Sequence, residues 1–452
     1  MPSNPFPRLC WHIVLALVGL SGGWMAARAQ DSDLLWPQFR GPTGDGHSRS
    51  RNLPTAWGGF LQPARWQRPI PGRGWSSPII VGTKVWITSA EVESLPGSQA
   101  ADKLNFDAEG PLYFQTHARV TFWAMALELT TGVVRHRLEL FTASNPAPIH
   151  ATNSYATPTP VSDGRLVYCH FGSLGTLALD AESGQVRWHR QLKVEDITGP
   201  GSSPILWEQL LILACDGADE QYLVGLDKHT GETVWKTSRP PMLVRDKQHR
   251  RAFSTPCLIE YSGRQQLIAP TAQWVVSYDP ATGREHWRCR TTDGYSVVPQ
   301  AACADGIAVA STGYPKPELW AIDIDGNGDV SSTHVLWKSA RQAPEIASPI
   351  IIAKEVYTLS SHGVLTVRDL RSGAIRWQQR LEGSFAASPV FADGKLYVTS
   401  RSGVTTVIQP GDRFHELARN DTFGETLATM AVGDDCLILR TDPVLYCLAK
   451  SE

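Results

Sequence analysis

One nine-residue pattern, Asp-x-x-x-Gly-x-x-x-Trp, constrains this chain more than anything else in it. It occurs at Asp180/Gly184/Trp188, Asp227/Gly231/Trp235, Asp279/Gly283/Trp287 and Asp369/Gly373/Trp377. Glu128/Gly132/His136 has the same spacing with changed ends, and the copy ending at Trp337 is stretched by an insertion around Asp325. About 30 residues before each Trp stands a small-residue step ending in Pro, followed by an apolar run. The copies are Ser76-Ser77-Pro78, Ala156-Thr157-Pro158, Ser202-Ser203-Pro204, Ser254-Thr255-Pro256, Val297-Val298-Pro299, Ala347-Ser348-Pro349 and Ala387-Ser388-Pro389. A weaker eighth copy starts near Ala428. Self-similarity at about 40–50 residues is the mark of a repeat architecture.

Each unit reads as four short strands. In the second they are Thr159–Val161, Arg165–His170, Thr176–Asp180 and Val186–Arg190, separated by turn residues such as Asp163-Gly164 and Ser183-Gly184. Four strands per repeat predict an all-β fold, an eight-bladed β-propeller of four-stranded blades. The Asp binds the turn backbone, the Gly supplies positive φ, and the Trp on the outer strand covers the gap to the next blade. The chain ends after three strands of blade eight, while a Trp-bearing strand, 64–70, precedes the first Pro step. The N-terminal strand is therefore expected to close the ring, with Trp66 in the last blade. This gives residues 1–29 as an address, 30–63 as an N-terminal extension and 64–452 as one propeller.

Composition agrees with a folded β protein. Hydrophobic residues are 42% and charged residues 19%, which excludes a disordered chain, and 38 Gly with 31 Pro exclude a coiled coil. A formal charge of −2 gives no electrostatic reason to bind nucleic acid. Arg8, the apolar run 11–20 and Ala27-Arg28-Ala29 form a secretory signal peptide. An uncleaved anchor is the alternative. No later segment is apolar enough to span a bilayer. The expected location is the periplasm or outside the cell, and the expected state is a monomer. Seven scattered cysteines remain after cleavage, with no C-x-x-C. A two-residue turn at Thr441-Asp442 would set Cys436 opposite Cys447, at a spacing slightly wider than a disulfide prefers but open to one in an exported chain.

The Gly-x-x-x-Trp repeats resemble the tryptophan-docking blades of the pyrroloquinoline quinone (PQQ) repeat superfamily. It includes quinoprotein alcohol dehydrogenases, the propeller lipoprotein of the outer-membrane barrel-assembly machinery, and exported PQQ-like propellers without an assigned activity. The chain is most similar to the third group, which characteristically opens with Trp36-Pro37-Gln38-Phe39-Arg40-Gly41-Pro42. Gly72–Pro78, Asn153–Pro160 and Asp216–Gln221 match as well, and the resemblance covers about residues 36–449. It implies the fold. The dehydrogenases carry an adjacent Cys pair beside the quinone and an acidic/Asn calcium set, and neither is found in this chain. No cofactor is therefore expected, PQQ included.

Several residues qualify as ligand contacts. Trp75, Tyr155, Phe253, Tyr295 and Phe385 stand at or near the start of innermost strands, where stacking faces would ring the channel mouth. Trp75 and Tyr155, from adjacent blades, are expected to face the same opening. His150, Asn153 and Tyr155 form one polar cluster, and Asp216, Asp219 and Gln221 another. Both patterns also fit ordinary packing and loop hydrogen bonds. Asp323, Asp325, Asn327 and Asp329 match the first half of a calcium loop, but His334 replaces the bidentate Glu at position twelve. The basic run Arg245, Lys247, Arg250 and Arg251 reads as a solvated loop. No catalytic triad has a recognisable context. The leading expectation is a non-catalytic exported propeller that binds a protein, glycan or small ligand on one face. A divergent quinoprotein oxidoreductase with PQQ and a metal in the channel, or an envelope-assembly scaffold, are the alternatives.

Overall fold

In a computed structural model of the protein, Leu34–Glu452 form a single unit. The described residues are Met1, 36–58, 63–96 and 114–450. The export address at 2–29 lies outside them. Eight antiparallel sheets follow one another around the ring. Blade two has strands Val161–Ser162, Leu166–His170, Thr176–Asp180 and Val186–Arg190, close to the boundaries read from sequence. Blade one is taller, because its three outer strands, Lys84–Ser94, His117–Glu128 and Val134–Ser144, run for 11, 12 and 11 residues. Among the described residues no helix is long and apolar enough to cross a membrane.

The ring closes as expected. Trp66–Pro69 pairs antiparallel with the last strand, Val444–Ala449, in the register Trp66↔Cys447 to Pro69↔Val444. Blade eight is thus completed by the chain's N-terminal side. The hairpin within it differs from the expectation: a four-residue turn, 441–444, sets Cys436 opposite Ala449 and Ile438 opposite Cys447. The two thiols remain close neighbours along the hairpin, but they are not cross-strand partners.

Two devices join blade to blade. The first is the outer-strand Trp. Trp188 donates its indole N–H to Lys228 O of blade three at 2.9 Å, and its ring covers Gly231, where an added methyl would lie 2.8 Å from it. Trp66, Trp337 and Trp377 make the same bond to the following blade, at 2.8, 2.9 and 2.8 Å. His136, the changed copy, does likewise through Nε2 to Glu182 O at 2.9 Å. The Gly of the pattern therefore has two duties. It takes φ of +67 to +74° in the hairpin, and its missing side chain makes room for the neighbour's ring. Blade seven carries Ala418 where the Trp would be. Trp57 of the N-terminal segment comes in instead, stacking on Tyr397 and held by Asn420.

The second device is a belt of hydrogen bonds around the channel. In seven of the eight blades the residue two before the innermost strand donates its N–H to the side-chain oxygen of its counterpart in a neighbouring blade. The order is Ser77 to Thr159, Thr159 to Ser203, Ser203 to Thr255, Gln300 to Ser348, Ser348 to Ser388, Ser388 to Thr429, and Thr429 back to Ser77, each 2.9–3.0 Å. This fixes the true repeat position. In blade two it is Thr159-Pro160 and in blade five Gln300-Ala301, each two residues beyond the step read from sequence.

Candidate functional site

The two faces of the ring differ because residues 36–58 occupy one of them. Trp36 bridges Ile80 of blade one, and Pro37 O accepts from Ser162 N of blade two. The segment then crosses to blades six and seven. Arg40, fully buried, donates to Pro349 O and to Asp45 O at 2.8 Å each, and His47 bridges Phe391. Leu53 N is held by Asp393, and Pro54 O accepts from Tyr397. Gly41, at φ +83°, lies so close under the Trp36 ring that a Cβ would be 2.7 Å away. That contact explains the spacing within Trp36–Gly41. Burial pushes the Arg40 guanidinium down to about 10.

These contacts run along the innermost strands toward the turns that follow them: Ile80, Ser162 and Phe391 lie within first strands, Asp393 in the turn after one, and Pro349 just before the first strand of blade six. The opposite face is built from the loops that enter each blade and those joining second and third strands. It carries every ligand candidate named from sequence. Trp75 is buried, donates its indole N–H to Thr152 O at 3.1 Å and lies under the Arg73 guanidinium, 5.2 Å from the ring centre. Tyr155 is buried among Phe122, Phe171 and Ile149, and donates to Ala147 O at 2.7 Å. Measured from the belt, Trp75 is two residues before Ser77 but Tyr155 is four before Thr159, so the two positions are not equivalent. Phe253, two before Thr255, is the counterpart of Trp75. Phe385 is buried between blades six and seven, and Tyr295 stacks on His249 with ring centres 4.0 Å apart.

The polar candidates are engaged by backbone. Asn153 donates to Thr198 O and Pro200 O and accepts from Ser154 N and Thr157 Oγ1. His150 Nδ1 caps the Thr152 turn. Asp219 accepts from Glu195 N, and Gln221 donates to Gly217 O. Asp216 has a different role. It forms a two-point ion pair with Arg239, at 2.9 and 2.7 Å, with both side chains 1% exposed. Neither Arg239 nor its partnership was legible in the sequence.

Beside this pair lies a small cavity between blades two, three and four, lined by His170, Asp196, Cys215, Asp216 and Phe253 among others. Its volume is about 20 Å³, room for one water molecule. Burial pushes the His170 imidazole down to about 4 and raises the Asp196 carboxyl. Asp196 Oδ2 accepts from Ser173 N at 2.7 Å.

The Asp323–Asp329 loop is a clasp between blades. Asp323 and Asp329 accept from Asp325 N and Ser331 N, and Asn327 Oδ1 accepts from Arg264. Gly328–Asp329 adds a fifth, parallel strand to blade four, and Ile324 and Val330 are buried there. Among the described residues no three His, Cys, Asp or Glu side chains gather as a metal site. The basic run forms a single 3₁₀ turn, Lys247–Arg250, capped by Asp246.

Solved structures share this architecture. BamB from Moraxella catarrhalis superimposes with a TM-score of 0.54 at 14% identity, covering 85% of this chain and 98% of that one. A europium-containing methanol dehydrogenase gives 0.61 at 10%, covering 92% and 91%. The quinohemoprotein alcohol dehydrogenase from Comamonas testosteroni gives 0.62 at 11%, covering 92% and 81%. At these identities the likeness is one of fold. No curated protein matches the chain. A family profile described as "Outer membrane protein assembly factor BamB" matches residues 219–452, just over half of the chain. The chain thus belongs to this family of PQQ-repeat propellers.

Proposed function

We propose that this protein is a scaffold of the cell envelope that binds another protein through its loop face. The observation that carries the reading is the asymmetry of the ring. One face is occupied by the chain's own residues 36–58. The other presents Leu243, Tyr314 and Phe423 at 68, 57 and 77% exposure, large apolar side chains on three separate loops. Three such side chains on one face offer anchor points for a protein partner. The cavity beside Phe253, at about 20 Å³, is far below the roughly 300 Å³ of a small-molecule site. Family membership and the N-terminal address agree on a periplasmic location.

The quinoprotein alternative finds less support, because the residues present do not fit a quinone with its metal. The chain has no adjacent cysteines, and of the two buried carboxyl groups at the loop-face cavity, Asp216 is neutralised by Arg239 and Asp196 accepts from Ser173 N. Two experiments test the proposal. Tagged, exported protein should co-purify an envelope protein, and Tyr314→Ser with Phe423→Ser should remove it while leaving the melting midpoint unchanged. Titration with PQQ and calcium should give no bound-quinone absorbance. Quinone binding with dye reduction would replace the scaffold reading by the catalytic one.

A further inference from the structure

The boundary between blades four and five is joined differently from its neighbours. The belt step from Thr255 is replaced, with Gln300 Nε2 donating to Pro256 O at 3.1 Å. Trp287 turns back into its own blade, its indole N–H on Gln266 Oε1 at 2.9 Å. The clasp strand Gly328–Asp329 crosses over from blade five.

At this same boundary two thiols meet. Cys257 opens the innermost strand of blade four, Cys257–Tyr261, and Cys303 lies within that of blade five, Ala302–Ala304. Their sulfurs are 3.5 Å apart. The two sulfurs have only to close from there to the ~2.05 Å of a disulfide. Cys257 is 8% exposed and Cys303 half-buried, so Cys303 is the more accessible residue of the pair. The compartment to which the chain is exported lets such bonds persist. Cys436 and Cys447, by contrast, lie in one hairpin whose strands are already hydrogen-bonded.

We propose that Cys257 and Cys303 are joined in the exported protein, and that this disulfide staples blade four to blade five. The oxidant is a disulfide of the thiol–disulfide exchange class. The Cys303 thiolate attacks one of its sulfurs, forming a mixed disulfide and releasing one oxidant thiolate. The Cys257 thiolate then attacks Cys303 Sγ, forms the Cys257–Cys303 bond and expels the second oxidant thiolate. The two cysteines give up two protons and two electrons, and the oxidant leaves as a dithiol.

The test uses full-length protein exported to the periplasm, purified without reductant, alkylated and digested with trypsin. Cys257 and Cys303 fall in peptides 252–264 and 291–338, each with a single cysteine. A linked pair of these peptides that disappears on reduction is expected. Recovery of both as alkylated free thiols, or of either linked to another cysteine, overturns the proposal. Reduction should also lower the melting midpoint of the wild-type protein by several degrees, and leave that of Cys257→Ser/Cys303→Ser unchanged. An equal response to reductant in both proteins would refute the stapling role.

Discussion

The indole N–H of Trp66 donates to Leu129 O at 2.8 Å, across the junction where the last blade meets the first. The two residues belong to opposite sides of the ring's seam, and the ring of Trp66 covers Gly132 as Trp188 covers Gly231. The closing strand is therefore docked by the same contact as the internal blades. Trp66→Ala should cost about 3–5 kcal/mol, the range for a buried Trp, and Trp188→Ala a similar amount. Gly132→Ala should also destabilise, because its methyl would lie 2.6 Å from the Trp66 ring. Chemical denaturation of the three variants measures this. An unchanged midpoint for Trp66→Ala would mean the seam is held by the strand pairing alone.

Arg40 anchors the segment that covers one face. Arg40→Ala removes its bonds to Asp45 O and Pro349 O and leaves the buried Pro349 carbonyl without this donor. Trypsin should then cut at the exposed Arg49 and Arg51 about tenfold faster than in the wild-type protein, the effect of losing about 1.4 kcal/mol of local stability. Equal cleavage rates would show that Trp36 and Trp57 suffice to hold the segment.

The Asp216–Arg239 pair is a stability element of the loop face. Asp216→Asn leaves a guanidinium buried without its counter-charge and should cost about 3–5 kcal/mol. Asp216→Leu with Arg239→Met should recover much of that loss, since both charges leave together. A double variant no more stable than the single one would point to a further partner for either charge.

His170 makes the protein acid-sensitive. Its folded value, about 4, lies below the 6.5 of an unperturbed imidazole, so the unfolded chain takes up the proton first. Stability is full above pH 6.5 and falls as the pH drops toward 4, by up to about 3 kcal/mol. The buried Asp196 carboxyl acts in the opposite sense: its raised value favours folding at low pH and is lost as pH rises through the carboxylate range. Urea midpoints from pH 7 to 4 should fall less steeply for His170→Asn than for wild type. Parallel profiles would remove His170 as the cause.

Much of the fold was legible because its joints are local. The Asp, Gly and Trp of each hairpin lie within nine residues, and the same residues make the contact to the next blade. Even His136 could be placed, since spacing alone marked it. The belt was less legible. Pro158 and Pro160 both satisfy the small-Pro pattern, and only the bond from Ser77 to Thr159 decides between them. The site was least legible, because its partners are distant. Asp216 reads as a free carboxylate until the fold brings Arg239 beside it, 23 residues away. Arg40 lay inside a segment conspicuous in the sequence, but no repeat there told which blades it would reach.

The central claim is that a partner binds the loop face because the other face is already covered. Photo-reactive residues at Leu243, Tyr314 and Phe423, compared with Glu208, Ser262 and Lys354 at the exposed turns of the covered face, test it directly in the intact envelope. The account predicts a discrete crosslinked protein from the first three positions and none from the second three. The same crosslinked protein from Glu208, Ser262 or Lys354, with nothing from Tyr314 and Phe423, would contradict it.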